Sequence, residues 1–175
     1  SFVVMIPGDG ENDPTEVLRY LSLVDHVDVV IPFVMNTHVR GWMRRFVSRL
    51  YRSIINLSFG TDFNYTNGTV IYNRAALMTL KAPTGSFFYQ TELLVRLSRN
   101  YLYAEVPQFI ETRDDGVSKA ISIRSLRRVI WAFLKLMFEM HILHAKGRRV
   151  TQEDFPQGTR TYERLPGRKN SHIND

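Results

Sequence analysis

Short apolar runs and a helical period alternate along the first third of the chain. The run Phe2–Ile6 predicts a buried strand, and Asp13 with Pro14 predicts the start of a helix, as its cap and its first helical residue. Val27–Ile31 predicts a second buried strand, which ends at Pro32. The side chains expected on the buried side of the intervening helix are Val17, Leu18, Leu21 and Leu23. Strand, helix and strand within about 30 residues predict a βαβ unit, and therefore a parallel α/β sheet.

The remaining chain continues this alternation. Helices are predicted over 41–56, 89–99 and 124–144, and strands over 69–72 and 101–106, the second of which ends at Pro107. The inward residues of the helix over 89–99 are Leu93, Leu94 and Leu97. The helix over 41–56 carries an apolar face of Met43, Phe46, Val47, Leu50, Ile54 and Leu57, surrounded by Arg44, Arg45, Arg49 and Arg52. Residues beyond 146 show no apolar period, which predicts a loosely ordered tail.

Composition narrows the class of protein. A chain of 175 residues with 44% hydrophobic and 23% charged residues has the balance of one globular domain. Cysteine is absent, which excludes disulfide scaffolds, zinc ribbons and cysteine nucleophiles. The formal net charge of +6 indicates an anionic partner: a nucleic acid, a phosphorylated substrate or an acidic membrane surface. Nucleic acid is the least favoured of these, because the basic residues lie on separate helices without a known reading motif.

The helix over 124–144 has a basic face as well as an apolar one. Its apolar stretch is interrupted by Lys135 and Glu139, and so falls short of the roughly 18 uncharged residues of a transmembrane span. A basic amphipathic helix of this kind is typical of a protein that lies on a membrane surface. Packing on the sheet or against a second subunit explains the same pattern, and the sequence leaves both interpretations open.

An acidic turn follows the first predicted strand. Asp9, Glu11 and Asp13 stand two residues apart at the carboxyl end of that strand, where open α/β folds bind ligands. Carboxylates with this spacing are suited to a hard cation such as Mg²⁺ or Mn²⁺, which in turn neutralises a diphosphate. An ordinary acidic turn with Asp13 as a helix cap is the competing interpretation.

A second loop combines basic residues with a glycine turn. Arg113 and Lys119 bracket Gly116 and Ser118, and this set suits a phosphate group, with arginine as a fork and lysine as a point charge. A solvated loop between a strand and a helix is the competing interpretation.

Taken in chain order, these segments resemble the family 2 glycosyltransferases, in their dolichyl-phosphate mannose synthase-like branch. The similarity covers about residues 2 to 140. Its most specific elements are the loop 113–119 and the Val106-Pro107 pair before it. The other matching segments are Asp9, 28–31, Arg40, 44–48, 67–74, 90–93 and 105–107.

The resemblance implies a partial GT-A (nucleotide-diphospho-sugar transferase) fold, an α/β fold with a parallel-rich sheet flanked by helices. The family's N-terminal nucleotide-binding half has no counterpart in the chain, so the chain is either a fragment of a longer enzyme or a truncated relative. Residues 1–120 then form the later part of the catalytic domain, 121–145 the basic amphipathic helix and 146–175 a polar basic tail.

The resemblance also implies the roles of individual residues. Asp9, with Glu11, would hold the divalent cation, and Glu92 and Arg113 would be catalytic. The substrate-binding residues would be Asn67, Arg113, Ser118, Lys119, Arg40 and Arg44.

The reaction that follows from the resemblance is inverting transfer of a hexose from a nucleotide-sugar donor to a polyprenyl-phosphate or other lipid-linked acceptor. A phosphate acceptor is already ionised at neutral pH, whereas a hydroxyl acceptor needs a carboxylate base such as Glu92. The protein is then expected to be cytoplasmic and peripheral to the membrane. The alternative is a non-catalytic, degenerate transferase-fold module that binds phospholipid or a protein partner through its basic surfaces.

Overall fold

A computed structural model describes residues 1–6, 14–36, 41–80, 87–109, 123–143 and 150–166. The strands are β1 (Phe2–Val4), β2 (Val29–Val34), β3 (Ile71–Asn73) and β4 (Tyr103–Gln108). The α-helices are α1 (Pro14–Leu18), α2 (Trp42–Phe59), α3 (Arg74–Met78), α4 (Tyr89–Ser98), α5 (Ile123–Phe138) and α6 (Arg160–Arg164). Two 3₁₀ turns (Leu21–Asp25 and Gln152–Asp154) and a π-helical turn after α5 (Glu139–Leu143) complete the described elements. The predicted α/β class is confirmed.

The four strands form one mixed sheet in the order β1-β3-β2-β4. β2 and β4 are parallel, whereas β3 is antiparallel to both of its neighbours. The expectation that β1 and β2 are parallel neighbours is wrong, because β3 lies between them and Ile71 faces both Val4 and Val30. The strand-helix-strand pattern fixes only the direction of the two strands, and β1, β2 and β4 do all run the same way.

Two prolines that were expected to end strands lie inside them. Pro32 is in the middle of β2, opposite Val106, and Pro107 lies in β4 opposite Phe33. β2 pairs with β3 only at its first two residues. Pro32 lies beyond this pairing, so the backbone N–H that proline lacks is not needed for a hydrogen bond to β3. β4 is at the edge of the described sheet, where proline is tolerated.

The first strand and helix are less buried than predicted. β1 is an edge strand of three residues, in which Val3 is exposed, and Met5 and Ile6 lie beyond it in solvent contact. In the helical segment that follows, Leu18 and Leu21 are exposed rather than buried. A helix of five residues followed by a 3₁₀ turn does not keep one face toward the sheet.

The two faces of the sheet bury different clusters, because alternate strand residues point in opposite directions. Val30 and Ile71 pack with Val17 under α1, whereas Val29 and Tyr72 pack in the larger core under α2, α4 and α5. The inward residues predicted for α4 are confirmed, since Leu93, Leu94 and Leu97 are all buried in the larger core.

The C-terminal segment 150–166 is folded, contrary to the prediction of a loosely ordered tail. Phe155 packs edge-on against Tyr101, with ring centroids 5.3 Å apart. Asp28, fully buried at the start of β2, binds α6: its carboxylate accepts hydrogen bonds from the Arg160 amide at 2.7 Å and from the Thr161 amide at 2.9 Å. This segment is held largely by hydrogen bonds to residues far away in the sequence. A search for apolar periods does not detect such contacts.

Candidate site at the carboxyl edge of the sheet

The carboxyl ends of the parallel strands define one edge of the sheet. β1, β2 and β4 all end at this edge, and the antiparallel β3 begins there. In the sequence, Asp9 and Glu11 follow β1, Arg40 follows β2 and Arg113 follows β4, and all four residues lie outside the described ranges. Asn67 comes just before β3. Ligands bind outside the carboxyl ends of strands in open α/β sheets, so this edge is the candidate site.

The segment before β3 is held tightly at this edge. Asn67 is exposed, whereas the next residue, Gly68, is buried against β2. A Cβ added to Gly68 would lie 2.7 Å from the carbonyl oxygen of Pro32, so only glycine lets the two backbones approach this closely. The Gln90 side-chain amide donates a hydrogen bond to the Gly68 carbonyl, which ties the first turn of α4 to the same place. Asn67 is thereby held at this edge of the sheet.

Glu92 lies in the first turn of α4 and is only 4% exposed. Its carboxylate accepts two hydrogen bonds from the Arg96 guanidinium, at 2.9 and 3.2 Å. Arg96 also donates at 2.5 Å to Glu139, in the π-helical turn that follows α5. The contacts of Glu92 therefore make it part of a chain of three charges that joins α4 to α5.

The guanidinium between the two acids is itself mostly buried. Burial lowers the pKa of Arg96, but hydrogen bonds and attraction from Glu139 and Glu92 outweigh that effect, and the net result is a raised pKa. Arg96 is therefore a permanent cation at this position.

Of the other seven predicted site residues, the structure describes one. Arg44 is exposed in the first turn of α2, the helix that follows β2 after the segment 37–40. The remaining six, Asp9, Glu11, Arg40, Arg113, Ser118 and Lys119, lie outside the described residues. Within the described ranges, no group of three His, Asp or Glu side chains is placed to hold a metal ion.

Two neighbouring tyrosines, Tyr72 in β3 and Tyr89 at the start of α4, were not singled out by the sequence patterns. Burial raises the pKa of the Tyr72 phenol, and the neighbouring Tyr89 raises it further. The Tyr89 hydroxyl donates to the sulfur of Met5 at 3.3 Å, just beyond the end of β1. Both phenols stay protonated at neutral pH and can act as hydrogen-bond donors. The sequence shows only a tyrosine in a predicted strand and another at the start of a later helix. This pattern is too common to identify a site.

The opposite edge of the sheet is filled by protein. Asp28 precedes β2 there, and its carboxylate binds the start of α6 as well as Asn73 at the end of β3, at 3.2 Å. The Thr161 hydroxyl donates to Asp28 at 2.5 Å and accepts from the Leu102 amide, just before β4, at 2.9 Å. The C-terminal segment thus occupies the amino ends of the parallel strands.

Over the described part of the chain, α2 and α5 included, no helix combines the length and the apolar character needed to cross a bilayer. A scan of the chain against protein-family models and a search of curated proteins both find no match.

Proposed function

We propose that this chain forms the acceptor side of an inverting glycosyltransferase, which moves a hexose from a nucleotide-sugar donor to a polyprenyl phosphate or another lipid-linked acceptor. The observation that carries the proposal is the shared direction of β1, β2 and β4, each of which is followed in the sequence by a predicted site segment. Open α/β sheets bind ligands outside the carboxyl ends of their strands, and the proposal expects the acidic, basic and amide side chains to act there.

The reaction needs stabilisation of the leaving diphosphate and an activated acceptor oxygen. A divalent cation, when bound, supplies positive charge for the diphosphate, and Asp9 with Glu11 are the residues that would hold it. Arg113 and Lys119 would bind the phosphate of the acceptor or of the donor. Asn67, exposed beside the tightly packed Gly68, would donate to a sugar or phosphate oxygen.

The contacts of Glu92 favour a phosphate acceptor over a hydroxyl acceptor. A hydroxyl must lose its proton to a base, and Glu92 is occupied by its ion pair with Arg96. A phosphate oxygen is already ionised and needs no such base. Glu92 then contributes by holding α4 against α5, and the acceptor is a polyprenyl phosphate.

The decisive experiment measures release of nucleoside diphosphate from a panel of nucleotide sugars in the presence of polyprenyl phosphate, with and without Mn²⁺ or Mg²⁺. The protein assayed should include any residues that its gene encodes before Ser1. We expect release that depends on both the cation and the lipid phosphate. Full activity in Asp9→Ala would refute the metal assignment, and a complete lack of release, with retained lipid binding, would support the non-catalytic module instead.

The role of Glu92 is tested with a matched pair of variants. Glu92→Gln and Glu139→Gln each remove one partner of the same guanidinium, and only Glu92 has a predicted place in the reaction. If the acceptor is a phosphate, both variants should keep activity within about tenfold of the parent. A loss of roughly 10²–10⁴ that is confined to Glu92→Gln would show that Glu92 acts as the base, and the acceptor would then be a hydroxyl.

A further inference from the structure

The connection between α2 and β3 carries Asn67 and contains neither a helix nor a strand. It runs from Gly60 to Val70. Its backbone lacks the regular hydrogen bonds of helices and sheets, so side chains of other elements must hold it in one conformation. The contacts that do so come from α2, β4 and α4. The position of Asn67 therefore depends on side chains outside the connection.

Asn56, in the last turn of α2, binds the start of the connection. Its side-chain oxygen accepts hydrogen bonds from the Thr61 hydroxyl at 2.9 Å and from the Phe63 amide at 3.1 Å. Its side-chain amide donates to the Phe63 carbonyl at 3.0 Å, and the Phe63 ring is buried in the larger core. The connection is therefore fixed as far as Phe63 by α2 and the core.

Asn64, the next residue, is bound through both its backbone and its side chain. Its backbone amide and its side-chain amide each donate to one carboxylate oxygen of Glu105, and both distances are 2.7 Å. Arg52 of α2 donates to the Asn64 carbonyl at 3.3 Å. Glu105 is half-buried in β4, 41 residues away in the sequence. Hydrogen bonds to a carboxylate are stronger than those between neutral groups, so Glu105 is the main contact that fixes the conformation at Asn64.

Little freedom is left between Asn64 and Asn67. Only Tyr65 and Thr66 lie between them, and Thr66 is buried. The Tyr65 ring packs on Gly68, where a Cβ would lie 3.2 Å from it, and the Gly68 backbone is held against β2. Asn67 is thus an exposed residue that lies three positions after one fixed point and one position before another.

We infer that Glu105 is a positioning residue, whose carboxylate holds Asn64 by two hydrogen bonds and so keeps Asn67 in place to bind substrate. The inference deepens the proposed function and rests on it, because Asn67 binds a sugar or phosphate oxygen in that proposal. Glu105 acts only by accepting hydrogen bonds, and neither its charge nor its ability to take up a proton is used.

Two variants of Glu105 separate hydrogen bonding from charge. Glu105→Gln keeps an oxygen for the Asn64 backbone amide, and rotation of the Asn64 side-chain amide by half a turn lets its oxygen accept from the new amide. Both hydrogen bonds are then retained without the charge, whereas Glu105→Ala removes both. The matched control is Asp62→Asn, which removes an exposed carboxylate from the same connection.

The kinetic parameters are measured for both the nucleotide sugar and polyprenyl phosphate. Glu105→Ala should raise one KM by roughly 3–10-fold, the equivalent of one neutral hydrogen bond to substrate, and leave kcat within about twofold. The substrate whose KM rises is the one that Asn67 binds. Glu105→Gln and Asp62→Asn should stay within about twofold of the parent. Equal losses in Glu105→Gln and Glu105→Ala, or a loss confined to kcat, would overturn the inference.

A double-mutant cycle tests whether Glu105 acts through Asn67. Asn67→Ala should raise the same KM by at least as much as Glu105→Ala does. Adding Glu105→Ala to Asn67→Ala should then change that KM by less than about twofold, because the side chain being positioned is already absent. Independent, additive effects of the two substitutions would overturn the inference.

Hydrogen exchange of the free protein tests the same contact without any substrate. The amides of residues 65–68 should exchange faster in Glu105→Ala than in the parent, and at the parental rate in Glu105→Gln and Asp62→Asn. Unchanged exchange in Glu105→Ala would overturn the inference, whatever the kinetic result. A parent protein that releases no nucleoside diphosphate would refute the proposed function, and hydrogen exchange would still decide whether Glu105 holds the connection.

Discussion

The buried carboxylate of Asp28 provides the sharpest test of how the C-terminal segment is held. Its four hydrogen bonds come from the Arg160 amide, the Thr161 amide and hydroxyl, and the Asn73 side chain, at 2.5 to 3.2 Å. Asp28→Ala removes every acceptor of this set and leaves the start of α6 with buried donors. Each buried donor left unpaired costs about 1–3 kcal/mol.

These costs overlap, because the donors share one carboxylate and can relax together. We therefore expect Asp28→Ala to lower the free energy of unfolding by about 3–5 kcal/mol. That is a large part of the roughly 5–15 kcal/mol available to a domain of ordinary stability.

The matched control is Asp25→Ala. Asp25 also binds residue 160, through the Arg160 guanidinium at 3.1 Å, but its side chain is 72% exposed. Solvent screens such a pair, so the loss should be about 0.2–1 kcal/mol. Urea denaturation gives both values, and hydrogen exchange at the Thr161 amide locates the damage. Equal losses in the two variants would refute the assignment of Asp28 as the anchor of the segment.

Three further predictions follow from individual contacts. Arg96→Ala should lower the free energy of unfolding by about 3–5 kcal/mol, because it removes the guanidinium that the mostly buried carboxylates of Glu92 and Glu139 share. The exposed Lys135→Ala should cost less than about 1 kcal/mol, and urea denaturation measures both. Gly68→Ala should cost about 1–3 kcal/mol because its Cβ meets the β2 backbone, whereas Gly41→Ala, with open space around it, should be near neutral. Because burial raises the pKa of Tyr72, the free energy of unfolding is retained below about pH 10 and falls above it. Ultraviolet titration should show this phenol ionising at a higher pH in the folded protein than in the unfolded chain.

Much of the architecture could be predicted from local patterns. The turn residues and apolar periods located all four strands and the helices α1, α2, α4 and α5 to within a few residues. The errors arose where the partners are distant in sequence. β3 separates β1 from β2, Pro32 is tolerated because pairing on one side stops short of it, and Asp28 binds a segment more than 130 residues away.

The candidate site, like the fold, has features that could be predicted from the sequence and features that could not. Residue types and spacing identified the acidic turn and the basic loop as candidates, and the family resemblance added Asn67. The structure places Asn67 just before β3 at the carboxyl edge, whereas the turn and the loop lie outside the described residues. The chain of charges at Glu92 was not predicted. Its first pair, Glu92 with Arg96, lies one turn apart on α4, but the second pair joins Arg96 to Glu139 in another element. A spacing of four residues is visible in the sequence, whereas a contact between helices is not.

The amphipathic helices show most clearly where sequence information ends. The sequence by itself determined that α2 and α5 each carry an apolar stripe beside basic residues, because a helical period follows from the spacing of residues along the chain. Only the tertiary structure decided which side of each helix meets the core: Ile55 and Leu136 are buried, while Leu50 and Leu134 face outward. The physical reason is that a core accepts only the side chains that fit the space left by its other elements, and a one-dimensional pattern does not contain that space.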